Sequence, residues 1–118
     1  MQAIMKPTPA PGLVLGDVPV PSPGPHDVIV RVAKTGLCGT DRHIYEWDNW
    51  AAERIRPPLV VGHEFVGIVE SIGEGVSAAK PGDRVSGEGH ICCGHCYSCR
   101  TGKGHTCTDV KIIGVDTQ

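Results

Sequence analysis

Apolar and polar positions alternate along this chain in short runs, the period-2 pattern of half-buried strands. Residues 2–6 and 13–18 read as two such strands around a turn at Pro11-Gly12. Prolines 19, 21, 23 and 25 follow; they have no N–H to give a ladder, so this stretch is an extended connector or a sheet edge. Val28-Ile29-Val30-Arg31-Val32 is a strand rich in β-branched residues. The period then changes: Thr40 or Asp41 is suited to cap a short helix running towards Arg54, with Ile44, Trp47 and Ala51 on its inner face. Pro57-Pro58 rule out its continuation. Residues 59–72 predict a long strand interrupted at Gly62 and Gly67, where bends or bulges are expected. Pro81-Gly82-Asp83 is a turn, and Arg84-Val85-Ser86 starts another strand. No internal repeat is visible. The pattern predicts a mostly β domain with short helices.

Sixteen glycines and ten prolines among 118 residues agree with a turn-rich β chain. The length allows one small domain, for which a metal staple would help. A net charge of −2 gives no reason to expect nucleic acid or an acidic membrane surface as partner. Aromatic residues make up 4%, too few for a base-stacking platform. The opening MQAIMKPTPAPG has neither a charged leader region nor a long apolar run, so a cytoplasmic protein without membrane contact is expected. The chain stops after Ile113-Gly114-Val115-Asp116 without a terminating signal, as a truncated piece of a longer protein would.

Chemistry concentrates first in Cys93, Cys96, Cys99 and Cys107, spaced C-x2-C-x2-C-x7-C. Four thiolates so close in sequence can close a tetrahedral shell around zinc, and a closed shell is structural. Six cysteines are too few for a disulfide scaffold. A ferredoxin cluster would continue x3-C-P, whereas here seven residues intervene and Thr108 follows. A nucleic-acid zinc ribbon would separate two C-x2-C pairs by about fifteen residues. A zinc lobe over residues 90–109 is the favoured reading; an iron–sulfur cluster is the rival, which a colourless protein would exclude. His90, His95 and His105 could each replace a sulfur, but four thiolates make that unnecessary. Cys92 is spare and reads as a small buried hydrophobe.

A second constellation is more dispersed. Cys38 lies in G-L-C-G-T-D-x-H, residues 36–43, and His63-Glu64 in V-G-H-E. Thiolate, imidazole and carboxylate are the ligand types of catalytic zinc, which keeps a position open. The residues alone do not decide between that and a core cysteine with a surface histidine.

Residues 62–76, G-H-E-F-V-G-I-V-E-S-I-G-E-G-V, match G-H-E-x2-G-x5-G-x2-V at every fixed position. With Cys38-Gly39-Thr40-Asp41 and the four-cysteine lobe in the same order, nearly the whole chain resembles the zinc-containing, medium-chain alcohol dehydrogenase family. Residues 38–50 and 87–96 look like its threonine-oxidising branch. The resemblance implies a GroES-like partly open β barrel over residues 1–118, truncated, with the zinc lobe at 90–109 and a Rossmann domain absent from this chain. It implies oxidation of L-threonine, a small-molecule substrate, with catalytic and structural zinc, NAD held by the missing domain, and a homo-oligomer, a tetramer, at full length. The piece alone is expected to be inactive. The alternatives are another zinc-dependent polyol or alcohol dehydrogenase, or a stand-alone zinc-binding domain without catalysis.

Residue by residue, the resemblance makes Cys38, His63 and Glu64 the catalytic-zinc ligands, Glu64 one that exchanges on and off. Thr40 resembles the hydroxyl that takes the substrate proton, and His43 the group that passes it to solvent. Asp41 resembles the carboxylate that orients His63. Glu88 and His90 are placed to face a polar substrate. Trp47 and Trp50 read as packing, and His26 as solvated. Gly73-Glu74-Gly75-Val76-Ser77-Ala78 fits G-x-G-x-x-A, but a dinucleotide fingerprint must open a helix, and Pro81-Gly82 follow too soon.

Overall fold

The computed structural model describes residues 1–117. Three small antiparallel sheets make up the framework. The first has β1 (Gln2–Lys6) between β2 (Val14–Asp17) and β4 (Leu59–Val60). The second has β5 (Phe65–Ile72) between β3 (Val28–Thr35) and β6 (Arg84–Ser86). The third pairs β7 (His90–Ile91) with β8 (Lys111–Ile112) in the cysteine lobe. The proline run between β2 and β3 pairs with no strand, as missing N–H groups require.

Two predicted elements depart from their expected course, and the second departure makes the loop that carries His63 and Glu64. The helix expected from Thr40 to Arg54 is two helices, α1 (Gly39–Glu46) and α2 (Asn49–Arg54). Trp47 adopts a left-handed conformation (φ 56) and ends α1, and Asp48 caps α2 through a bond from the Ala51 amide. The N-cap of α1 is Cys38, not Thr40 or Asp41: its sulfur accepts from the Thr40 amide while Asp41 reaches back to the Cys38 amide. The strand expected over 59–72 stops at Val60 and resumes at Phe65. Gly62, at φ +112, lies in the intervening loop.

Gly67 sits under a register shift in β3, between Val32 and Lys34. A side chain there would run into the Arg31 carbonyl and come within 2.6 Å of Val30. The bulge is therefore on the partner strand, with Gly67 beneath it.

Ile44, Ala51, Ile55, Leu59 and Val115 form the main core, with Leu13, Trp47, Val61 and Ile112 packed against it. This core clamps α1 and α2 onto β4 and the C-terminal turn. Lys6 is fully buried beside it; its ammonium bonds to the carbonyls of Ala10 (2.5 Å) and Gly12 (2.9 Å) and lies 4.8 Å from the Trp47 ring centroid. Burial pulls its pKa down, and the carbonyls and ring face offset the lost hydration. Among the described residues no helix is long and apolar enough to cross a membrane.

Candidate metal centres

The four-cysteine lobe is built by local turns. Cys93 follows β7, Cys96 caps the short helix α3 (Tyr97–Arg100), Cys99 lies within it, and Cys107 follows a 3-10 turn at Gly104–Thr106. All four sulfurs lie within 4.8 Å of one another. Cys99 Sγ is 3.5 Å from Cys96 Sγ and 3.9 Å from Cys93 Sγ. Zn–S bonds of about 2.3 Å in a tetrahedron impose a separation of about 3.8 Å, so the lobe fits zinc without rearrangement. No disulfide joins cysteines among the described residues.

Backbone amides already aim at the sulfurs: Cys96 N to Cys93 Sγ (3.4 Å), Cys93 N and Asp109 N to Cys107 Sγ (3.4 and 3.3 Å). Donors of this kind favour thiolate over thiol. The amides of Cys99 and Thr108 bring the Cys96 thiol down to about 6. Those of Cys93 and Asp109 lower Cys107. Burial beside the other sulfurs pushes Cys99 up to about 12. Four adjacent thiols cannot all ionise alone; a dication at their centre removes the repulsion. Cys92 stays out of this shell, half-buried rather than buried, with its thiol on the Gly104 carbonyl at 3.1 Å. His95 and His105 are exposed on the lobe's surface.

The second cluster draws on segments far apart in sequence. Cys38 precedes α1, while His63 and Glu64 lie in the loop between β4 and β5. Cys38 Sγ is 3.1 Å from His63 Nε2, and the three ligand atoms lie within 4.8 Å of one another. Sulfur and nitrogen on one tetrahedral zinc would stand about 3.5 Å apart, so this donor set also fits. Glu64 is positioned through its backbone, whose carbonyl accepts from Gly36 N (2.7 Å) and Thr35 Oγ1 (2.9 Å). Its carboxylate lies over Gly36, where a Cβ would come within 2.6 Å of it.

Asp41 is buried and bonds the Cys38 amide at 2.8 Å, but it stands 3.9 Å from His63 Nδ1, too far for a hydrogen bond. His63 Nδ1 is buried and has no hydrogen-bond partner. In this structure Asp41 therefore anchors the backbone of Cys38 and only approaches His63.

An open cleft of about 680 Å³ borders this cluster, lined by Thr40, His63, Glu64, Phe65, Glu88 and His90 among others. Glu88 and His90 are paired at 2.5 Å; hydrogen bonds from the His90 ring and amide lower the Glu88 pKa. His43 is not in the cleft lining. It is exposed, with Nδ1 2.5 Å from Asp48 Oδ2 and its ring 5.7 Å from that of Trp50. Asp48 escaped the sequence reading, although an Asp-Asn pair inside a helical pattern is a capping signal. His26 lies on the turn before β3, with its ring against Gly75. The Gly73-Gly75 segment is a turn and not a helix start.

A GroES-like framework carrying a four-sulfur lobe and a Cys-His-Glu cluster defines a class of zinc dehydrogenase domains. The sequence profile described as the alcohol dehydrogenase GroES-like domain matches residues 24–116, and the chain belongs to that family. It is similar to the L-threonine 3-dehydrogenase of Bacillus subtilis, at 55% identity over 117 residues, which are 99% of this chain and 34% of the relative. The L-threonine 3-dehydrogenase of Pyrococcus abyssi is 54% identical over the same shares. The chain thus spans about a third of the length of these curated relatives. Among solved structures, an alcohol dehydrogenase of Aeropyrum pernix superposes with a TM-score of 0.88 at 32% identity, covering 100% of this chain and 35% of that one. An Escherichia coli alcohol dehydrogenase complexed with NADH gives 0.86 at 37% identity, covering 100% of this chain and 33% of that one.

Proposed function

We propose that this chain is the zinc-binding, proton-handling portion of an L-threonine 3-dehydrogenase, which oxidises the side-chain hydroxyl of L-threonine to give 2-amino-3-oxobutanoate. The observation that carries the reading is the convergence of Cys38, His63 and Glu64 within 4.8 Å at the wall of a cleft that Thr40 also lines. The similarity to L-threonine 3-dehydrogenases over 99% of the chain supports the substrate. NAD as oxidant, a cytoplasmic location and a homo-oligomeric whole protein belong to the same reading.

Cys38, His63 and Glu64 hold the catalytic zinc, and the four cysteines of the lobe hold the structural one. Zinc supplies Lewis acidity that makes the substrate hydroxyl easier to deprotonate, and NAD supplies the hydride acceptor. The chain's own groups then handle the proton. Thr40 lines the cleft, and its hydroxyl accepts the substrate's proton as it gives up its own. His43, one helical turn further along α1, receives that proton and passes it to water, to which it is exposed. Glu88 and His90, across the cleft, suit a substrate with an ammonium and a carboxylate. Asp41 fixes Cys38 by its amide. The 118 residues by themselves are inactive in this reading, since hydride transfer needs an oxidant held against the substrate.

The test uses the complete dehydrogenase containing this chain, its zinc content and its NADH production from L-threonine and simple alcohols. Thr40→Ala should lose about 10²–10⁴-fold in turnover, the scale of general acid–base catalysis, with both zinc ions retained. Thr40→Ser should recover most of it. A complete protein that leaves threonine untouched, or a Thr40→Ala variant with wild-type turnover, would defeat the reading.

A further inference from the structure

The turn between α1 and α2 brings a carboxylate against the His43 ring. The left-handed Trp47 reverses the chain, so Asp48 folds back onto the preceding helix. One oxygen, Oδ1, accepts the Ala51 amide at 3.0 Å and caps α2; the other, Oδ2, meets His43 Nδ1 at 2.5 Å. A free carboxylate would swing; this one is pinned at one oxygen and can offer only the other.

We infer that Asp48 is a positioning residue for His43, fixing the imidazole's tautomer so that Nε2 is the nitrogen free to take a proton. The inference rests on His43 being the proton's exit. An ionised carboxylate only accepts, so Nδ1 must donate to it. A neutral imidazole carries one N–H, and Nε2 is then the acceptor. The Ala51 amide keeps Asp48 ionised by lowering its pKa, and the contact with His43 adds to this. The Trp50 ring, 5.7 Å from that of His43 and tilted by 53°, borders the imidazole on another side. One aspartate thus ties the start of α2 to the orientation of a group on α1, through no contact with substrate.

Capping and positioning can be separated by Asp48→Asn. Asparagine caps helices about as well as aspartate. Its single oxygen is claimed by the Ala51 amide, which leaves the NH2 facing His43 Nδ1. An NH2 donates, so Nδ1 becomes the acceptor and the proton moves to Nε2. The relay is blocked with the fold intact.

The experiment uses the complete zinc-loaded dehydrogenase, with His43→Asn, Asp48→Asn, Asp48→Ser and the double variant Asp48→Asn/His43→Asn. Serine also caps, but it is too short to reach the ring. The readouts are kcat and KM for L-threonine, melting temperature, and the protonated nitrogen of His43 in ¹⁵N-histidine spectra, assigned by its loss in His43→Asn. Asp48→Asn should lower kcat by about 10²-fold, the lower end of general acid–base contributions, with KM and melting temperature little changed. His43 should move to the Nε2-protonated form. The double variant should be no slower than His43→Asn alone, and Asp48→Ser should fall between wild type and Asp48→Asn. If His43→Asn is slow while Asp48→Asn matches wild type, the relay stands and this inference falls. If His43→Asn itself turns over normally, the relay reading fails and takes the inference with it. An unchanged tautomer in Asp48→Asn, or a kcat loss that only tracks a lower melting temperature in both Asp48 variants, would reduce Asp48 to a helix cap.

Discussion

Replacing Gly114 with alanine tests whether the candidate catalytic site depends on the packing of the C-terminal turn. Gly114 is buried at φ +71. An added Cβ would lie 2.7 Å from the Gly62 carbonyl carbon, 2.8 Å from its nitrogen, and closer still to its oxygen. Left-handed backbone costs a non-glycine residue about 1–2 kcal/mol, and overpacking adds about 1–3 kcal/mol. Together these approach about 2–5 kcal/mol, and at roughly 4 °C per kcal/mol for a chain of this size the melting temperature should fall by about 8–20 °C. The obstacle is backbone, so relief requires the 61–64 loop or the 113–117 turn to move. The first of these carries His63. An ordinary carbon–carbon contact is about 3.5 Å, so a shift approaching 1 Å is needed, against a tolerance of about 0.2 Å for metal ligands. Gly114→Ala should therefore weaken zinc binding at Cys38, His63 and Glu64 and leave the four-cysteine lobe loaded. Gly62→Ala is the control: it carries the backbone strain at φ +112, but its Cβ meets nothing nearer than Thr35 Oγ1 at 4.0 Å. Competition with a graded chelator reads the two zinc affinities, and a thermal melt reads stability. Equal zinc affinities and melting temperatures in Gly114→Ala and wild type would refute the link between this turn and the site.

Two further perturbations separate other parts of the structure. Cys99→Ser should release the lobe's zinc and raise amide exchange across residues 90–109 while the β3–β5 pairing stays protected, because ligation there is folding energy; a lobe that kept its protection without metal would remove the structural role. Asp116 accepts from Arg54 at 2.6 Å and from the Ile112 amide at 3.0 Å. Burial raises its pKa, but these partners more than offset that and the net shift is downward. A lowered folded-state pKa gives stability that is present above the unfolded value of about 3.9 and is lost as pH falls through the folded value. Asp116→Asn should melt below wild type at neutral pH, and the gap should close below about pH 4; a gap that persists in acid would show that charge is not the cause.

What was legible in the sequence was local. The four cysteines sit within fifteen residues, so their spacing alone specified a shell, and turns and short helices complete it without distant help. Strand β3 announced itself by consecutive β-branched residues and runs three residues beyond the expected end. The helix break at Trp47 was hidden because Ile44, Trp47 and Ala51 keep a continuous helical period. All three do pack on the same core, but from two helices and the turn between them. A tryptophan in left-handed conformation carries no sequence signal; the buried Lys6 beneath it, with its ammonium on the ring face, accompanies the turn. Cysteine is likewise an unusual N-cap, so Thr40 and Asp41 drew the assignment that belonged to Cys38. The interruption at Gly62 was legible from the glycine itself, but its extent was not: apolar flanks made 59–72 read as one bent strand, whereas the chain leaves the sheet from Val61 to Glu64, with Gly62 at positive φ.

These differences share a physical origin that bears on the chemistry. The Cys-His-Glu cluster needs side chains from before α1 and from between β4 and β5, twenty-five residues apart, to meet at 3.1 Å. Period and propensity describe one segment at a time and carry no information on how two loops approach. That approach is set by Gly114 against Gly62, by Thr35 and Gly36 holding the Glu64 carbonyl, and by Asp41 holding the Cys38 amide. None of these contacts involves the donor atoms themselves. A structural lobe can form from its own cysteines once metal arrives, whereas this cluster exists only after the sheets and the core have assembled. Unfolding should accordingly release the zinc of the Cys38–His63–Glu64 set together with loss of the β1–β4 pairing, while the four-sulfur lobe, closed by short-range turns, is free to keep its metal to a later stage.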